Sequence, residues 1–491
     1  VPESFTETFA ARLAGYGERP CIEFNGRWYT GDEVTGCADA IAARLRDAGV
    51  ADDAPVGLVV RNRLPHAAAV VGFLAAARPV AMIYSFQSPE SIARDVEQLD
   101  LAAVVADRED WTAPVVDAAK RVGSTGIAIS PEGVETVAGL DVTDNTRPRP
   151  SLTAALYILT SGTTGPPKRQ AINAAVLEHT VFSVTGGQAS PDDPPELMYW
   201  PLGGIGGVCQ LVTGAYVGKQ MVLLEKFSVD GWLRAVKTYG IKRCGVQPAA
   251  VRMLLDADLP PEDLSSLDFV ISAAGPLDPD VRDAFEQKYG IPVLLAYGAT
   301  EFAGSVCTWT PELYREFGAT KRASSGRVLP DTEVRIVDPD TGEQVPTGEQ
   351  GLLEAKIALL GPDWIRTMDL ASIDADGFIT IHGRADGAIN RGGFKILPET
   401  VRRVLVSHPA VHDACVVGVR DDRLGEVPFA AFEPEPGMAV PSESELQELV
   451  RRSLPRHHVP VAITVVDELP RNPALKVSLR DVAALYDRAN R

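Results

Sequence analysis

Short apolar runs alternate with helix-length stretches through residues 56–296, and that alternation restricts the chain to folds built on a mostly parallel sheet. Val56 to Val60 is an apolar run, Pro65 to Ala77 reads as helix, and Pro79 to Tyr84 is apolar again. Glu90 to Leu99 is helical and Ala102 to Ala106 strand-like. The pattern returns with strands at Gln220–Leu224, Cys244–Val246, Phe269–Ala273 and Pro292–Ala296, and helices at Val229–Tyr239 and Ala249–Asp256. Between Val334 and Ile381 the texture changes to short strands separated by turn signals such as Asp340-Thr-Gly and Asp376-Gly, which predicts an antiparallel β subdomain. Helices at Glu399–Ser407 and Glu443–Ser453 and strands at Ala414–Val419, Phe429–Phe432 and Ala462–Val466 then predict a compact α+β unit. The expected class is α/β: a large N-terminal domain over 1–385 and a small mobile α+β domain over 386–491, with the break at Asp386.

A length of 491 residues fits two or three domains. Hydrophobic residues at 45% and charged ones at 23% exclude extensive disorder. With 47 basic against 66 acidic residues the net charge is −19, which disfavours nucleic acid and anionic lipid as partners. Anionic ligands must then be held by backbone N–H groups, hydroxyls and a few placed cations. The six cysteines are scattered, with no C-x-x-C pair and no zinc spacing, as expected in a reducing compartment. The first residues, Val1-Pro-Glu-Ser, do not read as a signal peptide, and Ala67–Ala77 is too short to span a bilayer. A cytoplasmic protein is expected.

The chemistry concentrates first in Tyr157-Ile-Leu-Thr160-Ser161-Gly162-Thr163-Thr164-Gly165-Pro-Pro-Lys168. An apolar run delivers four hydroxyls and two glycines in six residues, followed by a lysine. Glycine lets backbone N–H groups approach a phosphate closely, and successive N–H groups form an anion nest. It is not a Walker A loop, because two prolines precede the lysine and arginine follows it. The string resembles the phosphate loop of the acyl-adenylate-forming superfamily: acyl-CoA synthetases, adenylation domains of peptide synthetases, and luciferases.

Further segments resemble the same family in the same order. Ser272-Ala-Ala274-Gly275-Pro276-Leu resembles its adenine-lining segment. Tyr297-Gly298-Ala299-Thr300-Glu301 resembles the motif in which the tyrosine stacks on adenine, the threonine meets the α-phosphate and the glutamate holds Mg2+. The resemblance gives Thr164 to the metal as well. Trp364-Ile-Arg-Thr-Met-Asp369 resembles the segment whose aspartate grips the ribose, with Met368 where glycine is usual. Ile381 joins the nucleotide-binding set. Gly383-Arg384-Ala-Asp386 resembles the hinge, with Arg384 near ribose and phosphate. Gly392-Gly393-Phe394-Lys395 resembles the loop lining the thiol tunnel, with Asn390 replacing a usual lysine. Leu469-Pro-Arg-Asn-Pro-Ala-Leu475-Lys476 resembles the motif that carries the adenylation lysine, Lys476, with Leu475 in place of glycine.

The resemblance implies an AMP-forming acid–CoA ligase using ATP, Mg2+ and CoA. Thr300, Glu301 and Lys476 are its expected catalytic residues. Loading of a carrier-protein phosphopantetheine, or a member that has lost adenylation, stays open, as does a homodimer. The acid is the least legible part. In Trp200-Pro-Leu-Gly203-Gly204-Ile-Gly-Gly207, two glycines stand where many relatives carry a bulky pair that walls the acyl pocket. With Gln247 the one polar residue of a second pocket segment, the expectation is a bulky hydrophobic acid.

Overall fold

A computed structural model describes residues 4–489 except 142, 145–147, 161–167, 186–192, 300, 301, 303, 331 and 473–474. The chain divides into two compact units, Val1–Val306 with Ala358–Gly361, and Cys307–Ile357 with Pro362–Arg491. The break expected at Asp386 falls inside the second unit and returns below as a proposal.

The first unit is organised by a seven-stranded sheet. Val56–Val60 lies between Val80–Tyr84 and Ala103–Asp107, and both pairings are parallel. Thr125–Ser130 and Leu156–Thr160 continue the sheet in parallel on either side, and Gly133–Thr136 and Lys168–Ile172 close its edges antiparallel. Every residue of Val56–Val60 is buried, which is why that strand reads as a continuous apolar run rather than an alternation. The helix Leu64–Ala75 starts with Pro65 in its first turn and is almost wholly buried, so its apolar composition serves the core. Among the described residues no helix is long and apolar enough to cross a membrane. Two smaller sheets complete the parallel framework. One sets Glu196–Met198 beside Met221–Leu223; the other sets Arg243–Val246, Phe269–Ser272 and Val293–Ala299 in parallel.

In the second unit Thr332–Val337, Gly351–Ile357, Ile365–Ile373 and Ile379–Arg384 form the expected antiparallel sheet. Beyond it, the hairpin of Val411–Asp421 and Gly425–Pro434 pairs with Ala462–Val465 and carries helices on both faces. Ala414, Val416, Ala430 and Phe432 point to the helices Pro398–Val406 and Glu443–Ser453, and Cys415, Val417, Phe429 and Ala431 to Leu479–Ala489. Both faces being covered, the central stretches Ala414–Val417 and Val427–Phe432 are apolar on both sides. Each fully buried phenylalanine of that hairpin contributes about 1.5–3 kcal/mol.

Candidate active site

Parallel strands present their carboxyl ends on one edge, where ligands of open α/β sheets bind. The expected residues of the first unit gather at such ends. Leu156–Thr160 leads into the expected phosphate loop and Lys168–Ile172 leads out of it, with Thr160 paired directly to Lys168. Residues 161–167 of that loop, Thr300 and Glu301 lie outside the described residues, as do the side chains of Thr160 and Lys168. Ala274, Gly275 and Pro276 follow the strand Phe269–Ser272, and Ala274 has φ 69°, a left-handed conformation in which a glycine is easier to place. Tyr297, Gly298 and Ala299 end the neighbouring strand. At Gly298 a Cβ would lie 2.6 Å from Ser305 Cα, so the backbone passes too close for any other residue.

A different carboxyl-end crevice, between Val56–Val60 and Ala103–Asp107, is filled by the chain's own ion pairs. Arg61 grips Asp110 through Nε and Nη2 at 2.9 and 2.6 Å, and Arg63 donates to Asp107 at 2.8 Å. His66 is fully buried, with Nε2 3.4 Å from Asp107 and no partner at Nδ1, which assigns the proton to Nε2. Burial lowers the His66 imidazole against the pull of Asp107, and the ring is neutral. Burial alone raises the Asp107 carboxyl, but bonds from His66, the Glu109 amide and Arg63 outweigh it and hold it well below the usual carboxylate range. A cavity of about 330 Å3, lined by Phe5, Arg78 and Asn173 among others, lies at the opposite, amino-terminal ends of the strands and includes none of the expected site residues.

The segment at Gly203 and Gly204 departs from expectation in one respect. A Cβ at Gly203 would lie 2.8 Å from Val60 Cγ1 and 2.9 Å from Tyr84 Cδ1, so the space of that absent side chain is already filled. At Gly204 only the Pro201 carbonyl comes within 4 Å, at 3.5 Å, and the space is open. Trp200 packs on Gly206 and Gly245, which lack the side chains that would displace it. Gln247 is buried at the end of Arg243–Val246, with Oε1 unpartnered. Asn62, which carried no sequence signal beyond its place after a strand, holds the segment by accepting from the Leu202 amide at 2.8 Å and donating to the Trp200 carbonyl at 2.9 Å.

In the second unit four expected residues come together. Asp369 is buried and stands directly across the sheet from Arg384. Arg384 clamps Asp386 with two bonds of 2.8 and 2.7 Å and reaches Asp369 at 3.4 Å. Met368 points outward and is exposed while Asp369 faces inward, so the strand alternation absorbs the missing glycine. Ile381 sits in the adjacent strand opposite Ala371.

Lys476 is held by a tight turn. Asn472 accepts from the Lys476 amide through Oδ1 at 3.1 Å and donates its own amide to the Lys476 carbonyl at 2.8 Å. Leu475 inside that turn has φ 59°, the conformation its usual glycine adopts freely. The Lys476 side chain is exposed, yet desolvation and the like charge of Arg384 lower its pKa, with Asp369 opposing them. The ammonium therefore lies within electrostatic reach of both the expected ribose ligands.

Gly392 and Gly393 form a two-residue hairpin turn between Ile389–Arg391 and Phe394–Ile396, with φ of 58° and 91°. Two consecutive positive φ values are the signature of a type I′ turn and explain both glycines. Phe394 is exposed and stacks on His457 at 4.5 Å; Lys395 is exposed beside it. Asn390 donates its amide to Glu426 at 2.9 Å. Among the described residues no three His, Cys, Asp or Glu side chains gather into a metal site; Thr164 and Glu301, expected to hold Mg2+, lie outside them.

The sequence matches the model of the AMP-binding enzyme family over residues 9–357 and that of the AMP-binding enzyme C-terminal domain over 401–476. The chain belongs to the AMP-binding enzyme family. It is similar to 4-coumarate–CoA ligase 3 of Oryza sativa subsp. japonica, at 28% identity over 96% of this chain and 90% of the relative. It is also similar to 2-succinylbenzoate–CoA ligase of Bacillus cereus, at 30% identity over 68% and 70% of the two chains. The fold matches ATP-bound MatB from Rhodopseudomonas palustris with a TM-score of 0.81 at 22% identity, covering 99% of this chain and 100% of that one. This AMP-binding enzyme is an AMP-forming acid–CoA ligase: it activates a carboxylic acid with ATP and Mg2+ as the acyl-adenylate and transfers the acyl group to CoA.

Proposed function

We propose that Lys476 is the residue that makes the first half-reaction fast; the observation that supports this is the tight turn in which Asn472 bonds both the amide and the carbonyl of Lys476, at the end of the stretch 469–476 that resembles the family's lysine motif. A carboxylate is a poor acyl donor because its leaving group is oxide. When one carboxylate oxygen attacks the α-phosphorus of ATP, pyrophosphate leaves, and the acyl group now carries AMP as its leaving group. Catalysis of such a transfer is mostly positioning and charge compensation. In this reading Lys476 pairs with the carboxylate and the bridging oxygen. Asp369 and Arg384 hold ribose, Tyr297 with residues 274–276 lines adenine, Thr300 meets the α-phosphate, loop 160–168 the β- and γ-phosphates, and Glu301 with Thr164 would hold Mg2+. Asp386 serves as hinge, and residues 390–395 present the thiol channel for the second half-reaction.

Gly203, Gly204 and Gln247 belong to the acyl pocket. The open space at Gly204 and the apolar wall of Val60 and Tyr84 support a bulky hydrophobic acid. Free CoA is the acceptor in this reading, and a cytoplasmic location accords with six free cysteines.

The test separates the half-reactions. In Lys476→Ala, acid-dependent exchange of pyrophosphate into ATP falls by about 10^2–10^3, by analogy with loss of one oxyanion donor, while thioester formation from added acyl-adenylate is retained. Exchange at the wild-type rate removes Lys476 from the role. Presenting free CoA and a phosphopantetheinylated carrier protein in the second assay distinguishes the acceptors.

A further inference from the structure

Gly203 is a glycine of an unusual kind: its missing side chain has been replaced from another part of the chain. The three atoms nearest a Cβ at this position are Val60 Cγ1 at 2.8 Å and Tyr84 Cδ1 and Cε1 at 2.9 and 3.0 Å. Two of the three belong to one ring. A side chain at 203 and the ring at 84 therefore compete for the same volume.

The Tyr84 ring is held on several sides. It ends the strand Val80–Tyr84, in register with Val60. Its hydroxyl donates to the Leu159 carbonyl at 2.8 Å, and Leu159 is the residue before Thr160, where the phosphate loop opens. Phe86 stacks on it at 4.7 Å and 23°, and is itself 44% exposed. Burial raises the phenol pKa, so the hydroxyl stays a neutral donor. A ring fixed by a strand, a hydrogen bond and a stacked neighbour gives a wall of defined position.

We propose that Tyr84 is a specificity-determining residue of the acid pocket, its ring supplying the wall that residue 203 does not, and its hydroxyl tying that wall to the strand that carries the phosphate loop. The inference rests on the reading of Gly203 and Gly204 as acyl-pocket residues. It deepens that reading: the pocket is bounded on the Gly203 side and open on the Gly204 side. The stacked pair Tyr84–Phe86 favours acids with a flat apolar body, which present a face to an aromatic ring, over compact acids such as acetate.

The experiment is acid-dependent pyrophosphate release over a panel of acetate, straight-chain and aryl acids of increasing size. Tyr84→Ala shifts the ranking of kcat/KM toward the bulkier acids by about tenfold or more, chiefly through KM for the acid. Tyr84→Leu keeps most of the volume but loses the flat face, and lowers aryl acids against straight-chain ones. Gly203→Phe alone loses activity with all acids because its ring has no space, and the double variant Tyr84→Ala with Gly203→Phe recovers activity and the original size cut-off. Tyr84→Phe keeps the ranking and raises KM for ATP, a split that a merely structural ring does not produce. If Tyr84→Ala and Tyr84→Leu lower all acids equally and the double variant does not recover, the proposal is overturned. Gly204→Phe separates the two ideas. A changed ranking there with none at Tyr84 overturns only the role of Tyr84. An unchanged ranking in both, in variants that still bind ATP, overturns the pocket reading as well.

Discussion

Lys476 must carry a proton to offset charge on the reacting oxygens, and its surroundings decide over what pH range it does. Desolvation and Arg384 both lower its pKa, and Asp369 partly restores it. A lysine with a lowered pKa loses its proton earlier as pH rises than a free one does. The pyrophosphate-exchange rate is therefore expected to decline on the alkaline side below the ordinary lysine value of 10.5. Replacing Arg384 by Gln removes the like charge and moves that limb upward, even though the rate at neutral pH falls through lost nucleotide contacts. A limb that stays put in Arg384→Gln contradicts the coupling. Leu475 is the second residue of consequence. A left-handed conformation costs a non-glycine residue about 1–2 kcal/mol. Leu475→Gly relieves it, whereas Leu475→Val, branched at Cβ, makes it worse. Amide exchange at Leu475 and Lys476, whose N–H groups are bonded to Asn472, is expected to slow in the first variant and speed up in the second.

Elements differ in how openly the sequence declares them. Val56–Val60 and the helix Leu64–Ala75 were legible because burial on all sides writes itself into unbroken apolar composition. Thr125–Ser130 was not, because Gly126 interrupts it; a Cβ there would lie 2.6 Å from Leu140 and 2.9 Å from Trp111, a reason visible only in three dimensions. The hairpin Val411–Pro434 was read as two short strands because Pro428 and the polar turn at Asp421–Leu424 hide its length. Gly203 looked like empty space for a similar reason. Composition along the chain cannot say that Tyr84, remote in sequence, occupies it. Among the described residues most of the motifs that carry the family resemblance lie at a strand end or turn, where local geometry constrains residue type; Asp369, in the middle of Ile365–Ile373, does not. At the hairpin of Gly392 and Gly393, the positive φ values predict a specific failure. Gly393→Val forces a β-branched residue into that turn and is expected to slow thioester formation while sparing pyrophosphate exchange. The hinge makes a parallel forecast: Asp386→Asn weakens the clamp on Arg384, and Asp386→Pro restricts the backbone as well. Only the latter is expected to impair the second half-reaction much more than the first. Equal losses in both half-reactions count against a hinge there.

At the scale of the whole molecule, stability should depend on pH through the buried network at residues 61–110. The folded state holds His66 neutral, with its pKa below the ordinary 6.5, so the unfolded chain binds more protons once pH drops past that value. Stability is thus fully present above about pH 6.5 and falls on acidification, by up to about 1.4 kcal/mol per pH unit for this one group. Urea midpoints at pH 7.5 and 5.5 measure it, and in His66→Gln the difference between the two should shrink; an unchanged difference assigns the acid sensitivity elsewhere. The fold otherwise serves one reaction, in which oxygen moves from the acid to phosphorus. An acid labelled with 18O in its carboxylate follows that oxygen directly. With CoA, ATP and Mg2+ present, each AMP is expected to carry one 18O and pyrophosphate none, and no ADP is expected to form. Label in inorganic phosphate with formation of ADP would place the attack on the γ-phosphorus and contradict that expectation.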